Sequence, residues 1–233
     1  MSLLTVVQGV CAAVGVEIPI SSVFTNINAN RTMQEMVALA NEMAQRIAYD
    51  TREWTALRNT HIIVGDGATA SFSFPADFKR LLLTGNLYNA VSPNMPLRYI
   101  ADPDVWLQRR LSQTYDAQGE WSQANNAITI LPVLAVGATV YFNYLDKNCI
   151  WLQGGGAGDR FMNDGDQFKL DERLLKLGMI YQWKAHKGSP YAEDMGSFSD
   201  ALAMEMGHDK PSPIIIGRVP MSSANVAYPW PVP

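Results

Sequence analysis

Few residue groups in this 233-residue chain have the types and the spacing that a chemical reaction would need. The glycine-rich segment 153–158 has the composition of a phosphate-binding loop. Such a loop continues into a Lys-Ser or Lys-Thr pair, or connects a strand to a helix in a dinucleotide-binding unit, and neither context surrounds this segment. We therefore predict a surface loop here and not a nucleotide site.

A cluster of carboxylates in and after this loop could offer oxygen ligands to calcium or magnesium. Its members are Asp159, Asp164, Asp166, Asp171 and Glu172. The spacing of an EF-hand is absent, because Arg160 and Met162 stand where alternate oxygen ligands should precede Asp164. Asp171 and Glu172 suit the start of the following helix, where negative charge is favourable. The pattern predicts a solvated loop and a helix cap, with no metal site.

The histidines and cysteines do not form a recognisable reactive set. His61, His186 and His208 are scattered along the chain without the spacing of a zinc site. Cys11 and Cys149 both fall in apolar segments, and neither belongs to a known nucleophile motif. Two unpaired buried thiols are favoured over a disulfide, and they suit assembly in a reducing cytoplasm.

Hydrolysis by two carboxylates is the reaction that the sequence leaves open. A glycosidase needs only one suitably placed acidic pair, and the chain has 22 Asp and Glu residues. No Gly-x-Ser-x-Gly elbow supports acyl transfer. We predict that the chain is not an enzyme, and we assign no catalytic residue, no cofactor and no metal ligand.

Composition and charge describe an ordinary globular protein. Hydrophobic residues make up 48% of the chain. The chain contains 18 Lys and Arg and 22 Asp and Glu, and it has no run of basic residues. Tight binding of phosphates is therefore not expected. The apolar stretch 1–16 has no preceding positive charge and is shorter than the roughly 20 residues of a membrane span, so we predict neither a signal peptide nor a transmembrane helix.

Helical periodicity occurs near both ends of the chain. Ser2 can cap a first helix whose apolar residues recur at three- and four-residue steps until Gly15. Thr32 and Glu35 have the spacing of a capping box at the start of a second amphipathic helix, which continues to Ile47. The segments 170–184 and 191–206 predict two further helices.

The middle of the chain has the pattern of strands. Residues 60–64 and 69–74 flank a Gly-Asp-Gly turn and predict a β-hairpin. Asp102 and Pro103 open a short helix that continues to Leu111. Further strands are predicted at 80–88, 97–100, 127–131 and 138–145.

The sequence therefore predicts an α+β fold with a helical bundle as its main part. Each set of helices alone is too small to bury its apolar stripe, so we expect the two sets to pack as one bundle. The predicted organisation is N-terminal helices 1–58 and C-terminal helices 168–209 forming the bundle, an antiparallel β subdomain with a short helix at 59–152, a Gly/Asp-rich loop at 153–167, and an extended arm at 210–233.

The proline-rich arm, residues 210–233, needs a partner surface. It contains six prolines, which exclude a helix, and only two charged residues, Lys210 and Arg218. Its apolar residues are candidates for docking on another subunit or on a partner protein. These residues are Ile214, Ile215, Ile216, Tyr228 and Trp230.

An ordered set of segments resembles a known family. The set comprises LLTVVQGVCAAVGVEIP, RIAYDTREWTAL with Trp54, FSFPADFKRLL with Phe74 where the family has leucine, PLRYIADPDVWLQ, AITILPVLAVGATVYFNYLDKNCIW, and FMNDGDQFKLDERLLKLGMIYQWKAHKGSPYAEDM. In this order they resemble the head-to-tail adaptors, or head-completion connectors, of tailed phages and gene-transfer particles, which are related to the tail accessory factor of short-tailed phages. The resemblance covers residues 1–208 and does not extend over the arm.

The resemblance implies a structural virion protein in the neck, assembled in the host cytoplasm. It implies a dodecameric ring under the portal protein, which extends the DNA channel and forms a platform for the next tail component, whether nozzle, stopper or tail fibres. Genomic DNA would pass without specific binding, and no membrane is involved. A tail-associated peptidoglycan hydrolase is the alternative. A host-cell binding module is disfavoured, because the chain has no repeats, secretion signal or low-complexity linker.

Overall fold

The fold is a mixture of helices and sheets, which confirms the α+β class. The computed structural model describes residues 2–25, 27 and 30–209. The helices are α1 Leu3–Val14, α2 Arg31–Gln45, α3 Pro103–Ser112, α4 Glu172–His186 and α5 Ala192–Asp209. The strands are β1 Arg58–Val64, β2 Ser71–Ser73, β3 Phe78–Leu81, β4 Leu87–Asn89, β5 Arg98–Tyr99, β6 Glu120–Ala124, β7 Ala127–Leu131, β8 Thr139–Asp146, β9 Ile150–Trp151, β10 Ala157–Gly158 and β11 Gln167–Phe168.

The first two helices begin with side-chain caps, although the second cap is not the predicted one. Ser2 accepts a hydrogen bond from the Thr5 backbone N–H, and Gly15 ends α1 in the left-handed conformation, as expected. Asn30 caps α2 by accepting from Met33 N at 3.2 Å. The predicted capping box at Thr32 is therefore wrong, because α2 begins at Arg31, Thr32 lies inside its first turn, and Asn30 is the N-cap.

The end of α2 widens into a π-helical turn, Arg46–Asp50. The Trp54 indole N–H donates to the Ile47 carbonyl at 2.6 Å, and the Thr51 hydroxyl donates to the same oxygen at 2.7 Å. Trp54 is buried, and a 3₁₀ turn over Thr55–Leu57 follows it. The tryptophan thus supplies a donor to a carbonyl at the helix end while it fills the core.

One hydrophobic core lies among the helices, with α4 at its centre. Helix α4 contacts α1, α2 and α5. The core also takes in Leu145 from β8 and residues after it, so the strands near residue 150 pack against the helices. Its large fully buried side chains include Leu3, Met36, Met43, Ile47, Leu57, Leu145, Ile150 and Leu174.

Gly178 allows α4 to approach its neighbours closely. A Cβ at this position would lie 2.5 Å from Met43 Cε in α2 and 3.2 Å from Phe198 Cε2 in α5. We expect Gly178→Leu to lower the free energy of unfolding by about 1–3 kcal/mol, measured by urea denaturation, because the side chain overpacks the crossing. The matched control is Gly196→Leu in α5, where the glycine is exposed and has open space. It should be neutral or stabilising by up to about 1 kcal/mol through helix propensity. Equal losses for both variants would contradict the close-approach argument.

The predicted hairpin between residues 60–64 and 69–74 is wrong. Strand β1 pairs antiparallel with β8 over its full length, whereas β2 pairs with β7 in a different sheet. Gly65 N–H donates to the Ala138 carbonyl at 2.7 Å, and a Cβ at Gly65 would collide with the Ala135 carbonyl. The long-range pairing of β1 with β8 is therefore formed in place of the local hairpin, and the turn after β1 connects the first sheet to the second.

Two larger sheets form the strand region. The first has the order β1-β8-β3, with β4 also paired to β8, and the second has the order β2-β7-β6-β5. Strands β5 and β6 are parallel, so the strand region is not antiparallel throughout as predicted. Strand β6 has no clear sequence pattern and was not predicted. A second core lies between the sheets and includes Ile63, Leu87, Trp121, Ile130 and Phe142.

A third, small sheet occupies the region that was predicted as a loop. Its order is β10-β9-β11. Gly155 and Gly156 have φ values of 93° and 85°, which permits the tight turn between β9 and β10. The predicted loop 153–167 is thus partly ordered into strands. Its sequence lacks the alternation of a strand because the strands are only two residues long.

A buried ion pair lies where the strands meet the helices. Lys169 Nζ is 2.9 Å from Asp146 Oδ2, and both side chains are less than 10% exposed. Lys169 also lies over the Trp151 ring at 4.6 Å, and the Tyr49 hydroxyl donates to the Asp146 carbonyl at 3.1 Å. The end of β8 is therefore fixed to the π-helical turn after α2 and to the segment that precedes α4.

In the part of the chain that the structure describes, no helix is both long and apolar enough to cross a membrane.

Candidate interaction surfaces

The glycine-rich segment uses its own backbone groups in the small sheet. Leu152 N–H donates to the Gly156 carbonyl at 3.1 Å, and Gly155 N–H donates to the Leu152 carbonyl at 3.0 Å. Those N–H groups therefore already have partners within the turn. The segment is a turn between two paired strands, β9 and β10, and not the strand-to-helix connection of a phosphate-binding loop.

The acidic cluster is mostly structural, and the prediction of a solvated loop is wrong for two of its members. Asp166 is completely buried and accepts hydrogen bonds from the backbone N–H groups of Gln153, Met162 and Asn163 at 2.6–2.9 Å. The Asp164 carboxylate accepts hydrogen bonds from the Ser22 hydroxyl and from the Val23 backbone N–H. These carboxylates are satisfied by donors that are distant in sequence, which no local pattern reveals.

Asp171 has its predicted place at the start of α4, where it accepts from Leu174 N at 2.8 Å. Among residues 2–25, 27 and 30–209, no three His, Cys, Asp or Glu side chains come together as a set that could hold a metal ion. The three histidines lie on β1, α4 and α5. His61 packs its ring against Phe142, with centroids 5.3 Å apart.

Both cysteines are free and buried in the helical core, which confirms the expectation of two unpaired thiols. Burial raises the pKa of the Cys149 thiol to about 11 and also raises the pKa of Cys11. A thiol with a raised pKa is protonated at neutral pH and is a poor nucleophile. The two cysteines therefore fill the core.

An apolar stripe crosses the outer face of the first sheet. We call it the outer stripe, and it consists of Ile62, Val64, Tyr88 and Tyr141, whose side chains are 36% to 58% exposed. Ile62 and Tyr88 both stand opposite Tyr141, so the three form one line across β1, β8 and β4. On the opposite face of the same strands, Ile63, Leu87, Val140 and Phe142 are buried. A sheet with one buried face and one exposed apolar face is typical of an interface.

Strand β1 is an edge of this sheet. Within the described residues its pairing partner is β8 alone, so the other side of its seven-residue backbone faces away from the sheet. Its second half, from Ile62 to Val64, carries no charge. Proteins usually protect such an edge with charges, prolines or a covering segment. None of the described residues adds a strand there.

Helix α3 presents a second apolar surface. None of its residues is buried. Leu107 and Leu111 lie one turn apart and are 52% and 75% exposed, and we call this pair the α3 face. Arg109 Nη1 lies 3.6 Å from the fully buried Glu120 carboxylate in β6, which ties the helix to the second sheet. The sequence predicted the helix, but only the tertiary structure shows that none of its residues is buried among the described part of the chain.

The docking residues predicted in the arm, Ile214, Ile215, Ile216, Tyr228 and Trp230, lie outside the described residues. The last described residue, Asp209, fixes the point from which the arm departs. Its carboxylate accepts from Thr55 N at 3.0 Å and lies 3.3 Å from Arg52 Nη2. The arm therefore starts beside the 3₁₀ turn that precedes β1.

Searches for related proteins give no match, either to a protein-family model or to a curated protein.

Proposed function

We propose that the protein is a head-to-tail adaptor that forms a ring under the portal of a tailed phage, and that it is not an enzyme. The observation that carries this proposal is the presence of two different exposed apolar surfaces, the outer stripe and the α3 face, on one chain. A closed ring is built from heterologous contacts, in which one surface of a copy binds a different surface of the next. The resemblance of residues 1–208 to phage adaptors gives the ring its proposed place in the virion neck.

The proposed architecture has a helical bundle of residues 1–58 and 168–209, an inserted β subdomain at 59–152, the Gly/Asp-rich segment 153–167 and the arm at 210–233. The contacts of α4 with α1, α2 and α5 support the bundle, and the separate core between the two larger sheets supports the inserted subdomain. In such a layout the outer stripe and the α3 face both lie on the inserted subdomain.

The ring would surround the exit channel for DNA and hold the next tail component. A net charge of −4 and the lack of a basic run suit a channel through which a duplex slides without being held. The partners in this proposal are the portal, further copies of the chain, and a nozzle, stopper or tail fibre. The apolar residues of the arm are proposed contacts with the portal or with an adjacent copy.

Mixing the purified protein with portal rings encoded by the same genome is expected to add a collar, seen by negative-stain microscopy. Leu107→Glu combined with Leu111→Glu should prevent the collar, because a charge placed in the α3 face must be desolvated in the ring. Gln108→Glu is the matched control, because residue 108 is exposed on the same helix. It should leave the collar intact. Truncation after Lys210 should weaken docking while the chain stays folded.

A protein that stays monomeric with portal rings would contradict the adaptor proposal. Tight binding of duplex DNA that falls steeply with salt would contradict a passive channel. Clearing of peptidoglycan in a zymogram, abolished by a single Asp or Glu substitution, would instead favour the hydrolase.

A further inference from the structure

A groove lies on the helical bundle between α2 and the last turn of α4. We call it the bundle groove, and its volume is about 500 Å³. Leu39 and Trp183 line it and are only 6% and 7% exposed, so its deep part is apolar. Ala38, at the middle of the α2 side, is exposed and small. An apolar groove between helices is the kind of surface that receives an amphipathic helix.

The two walls of the bundle groove carry opposite charges. The α2 wall has Glu35 and Glu42, two turns apart, and the α4 wall has His186 and Lys187. Lys187 Nζ donates to Glu35 Oε2 at 2.7 Å, which bridges the walls at one end. At the other end, Glu42 pairs with Arg46 of its own helix, and the Glu42 side chain is 55% exposed. A positive charge brought to that end would therefore meet an accessible carboxylate.

Helix α3 has the complementary pattern. Its two exposed leucines, Leu107 and Leu111, are spaced as the anchors of a helix that docks in a groove. Asp104 precedes Leu107 by three residues and Arg110 follows it by three, so the two charges lie on opposite sides of the leucine pair. Both residues are exposed, and neither forms an ion pair with another described residue. The α3 face thus has an apolar centre with one acidic and one basic border.

We infer, on the basis of the proposed adaptor ring, that the α3 face of one copy docks in the bundle groove of the next copy. Arg110 would then lie beside Glu42, and Asp104 would lie on the side of Lys187, while the leucine pair covers the apolar floor. A second copy is the occupant because the same chain carries both halves of this charge pattern, which favours one register and orientation.

This contact has the geometry that a ring requires. Helix α3 lies in the strand region and the bundle groove lies between α2 and α4, so two different surfaces meet and each copy can bind one neighbour on either side. The outer stripe then remains for the portal or for the next tail component.

Disulfide cross-linking between two variants tests the contact, with portal rings and without them. Chains with Leu111→Cys and chains with Ala38→Cys are mixed under a mild oxidant, and the native Cys11 and Cys149 are buried and do not interfere. The mixture should form dimers of one chain of each kind at least about tenfold more than either variant alone, because docking raises the effective concentration of the two thiols. Ser112→Cys in place of Leu111→Cys is the matched control, since residue 112 is exposed but points about 100° away from Leu111.

Charge reversal tests the orientation of the docked helix. Arg110→Glu in the Leu111→Cys chain should lower the yield of the mixed dimer several-fold, because two carboxylates then meet at Glu42. Glu42→Lys in the Ala38→Cys chain should also lower it, and the two reversals together should restore it. Reversals whose losses add without restoration would overturn the assigned pairing.

The adaptor function and this contact fail in distinguishable ways. A collar on the portal without the mixed dimer would overturn the contact and leave the adaptor proposal standing. A mixed dimer without any collar would support the contact and contradict the adaptor proposal, and the absence of both would overturn both. An excess of dimers linked through two Leu111→Cys chains would also overturn the contact, because it would show that α3 pairs with α3.

Discussion

Replacing Asp146 by alanine is expected to lower the free energy of unfolding by about 3–5 kcal/mol, measured by urea denaturation. The substitution leaves the Lys169 ammonium buried without its carboxylate partner, and Lys169 is only 7% exposed. It also removes the acceptor of the Asn148 backbone N–H, which bonds to Asp146 Oδ1 at 2.8 Å. A loss of this size is a large part of the 5–15 kcal/mol that stabilises a typical domain.

A double-mutant cycle separates the ion pair from its surroundings. Lys169→Met removes the charge and keeps most of the side-chain volume, so the combination of Asp146→Ala with Lys169→Met should cost less than the sum of the two single substitutions. Glu42→Ala is the control, because Glu42 pairs with Arg46 on the exposed surface of α2 at 2.7 Å. That pair should contribute only about 0.3–0.5 kcal/mol. Additive losses at Asp146 and Lys169 would show that the two residues are not coupled.

Replacing Asp166 by alanine is expected to destabilise the protein by roughly 3–5 kcal/mol, because three backbone N–H groups lose a charged acceptor in a site closed to water. Asp166 is the central connection of the segment 153–167. Its backbone carbonyl also accepts from Leu3 N at 2.8 Å, which joins the segment to the first turn of α1. Urea denaturation measures the loss, and hydrogen exchange should show faster opening of this segment.

Asparagine at position 166 distinguishes charge and acceptor geometry from packing. Asp166→Asn keeps the shape of the side chain but turns one acceptor oxygen into a donor, which then faces another N–H group. It should therefore be clearly destabilising, although less so than alanine. Asp159→Asn is the matched control, because the Asp159 side chain is 54% exposed. A neutral Asp166→Asn would show that the carboxylate acts only by filling space.

The helices were the part of the fold that sequence predicted best. The apolar residues of α1 and α2 recur at helical spacing, and most residues on those stripes are buried in the helical core. In α4 only Leu174 and Ile180 of the predicted stripe are buried, because the face that packs on the core also contains Leu175, Met179 and Trp183. Ser2, Gly15 and Asp171 also had their predicted roles as caps. These features depend on residues within a few positions of one another, so a local pattern is enough to specify them.

The strand pairing could not be obtained in the same way. Residues 60–64 and 69–74 have the pattern of a hairpin, yet β1 pairs with residues that lie about eighty positions later. The alternation of apolar and polar residues in a strand predicts which residues share a face of the sheet, but it does not predict which other strand pairs with it. The parallel pair of β5 and β6 and the small sheet were missed for another reason, because β6 has no clear sequence pattern and the strands of the small sheet are only two residues long.

The candidate surfaces show the same division. The run His61–Val64 is uniformly apolar after its histidine, so the sequence does not tell that Ile63 is buried while Ile62 and Val64 are exposed. That difference is fixed by β8 and by the second sheet, which cover one face only. Likewise, the acidic residues of segment 153–167 have ordinary loop composition, and their burial depends on donors from distant residues such as Ser22.

The sequence by itself determined the helices, most of their caps, the two unpaired thiols and the mixed α+β class, because these follow from the periodicity, capping chemistry and composition of short segments. Only the tertiary structure decided the strand partners, the burial of Asp146 and Asp166, and the exposure of the outer stripe and the α3 face. Burial and exposure at these positions are set mainly by contacts between residues far apart in the chain, and a local sequence pattern does not specify those contacts.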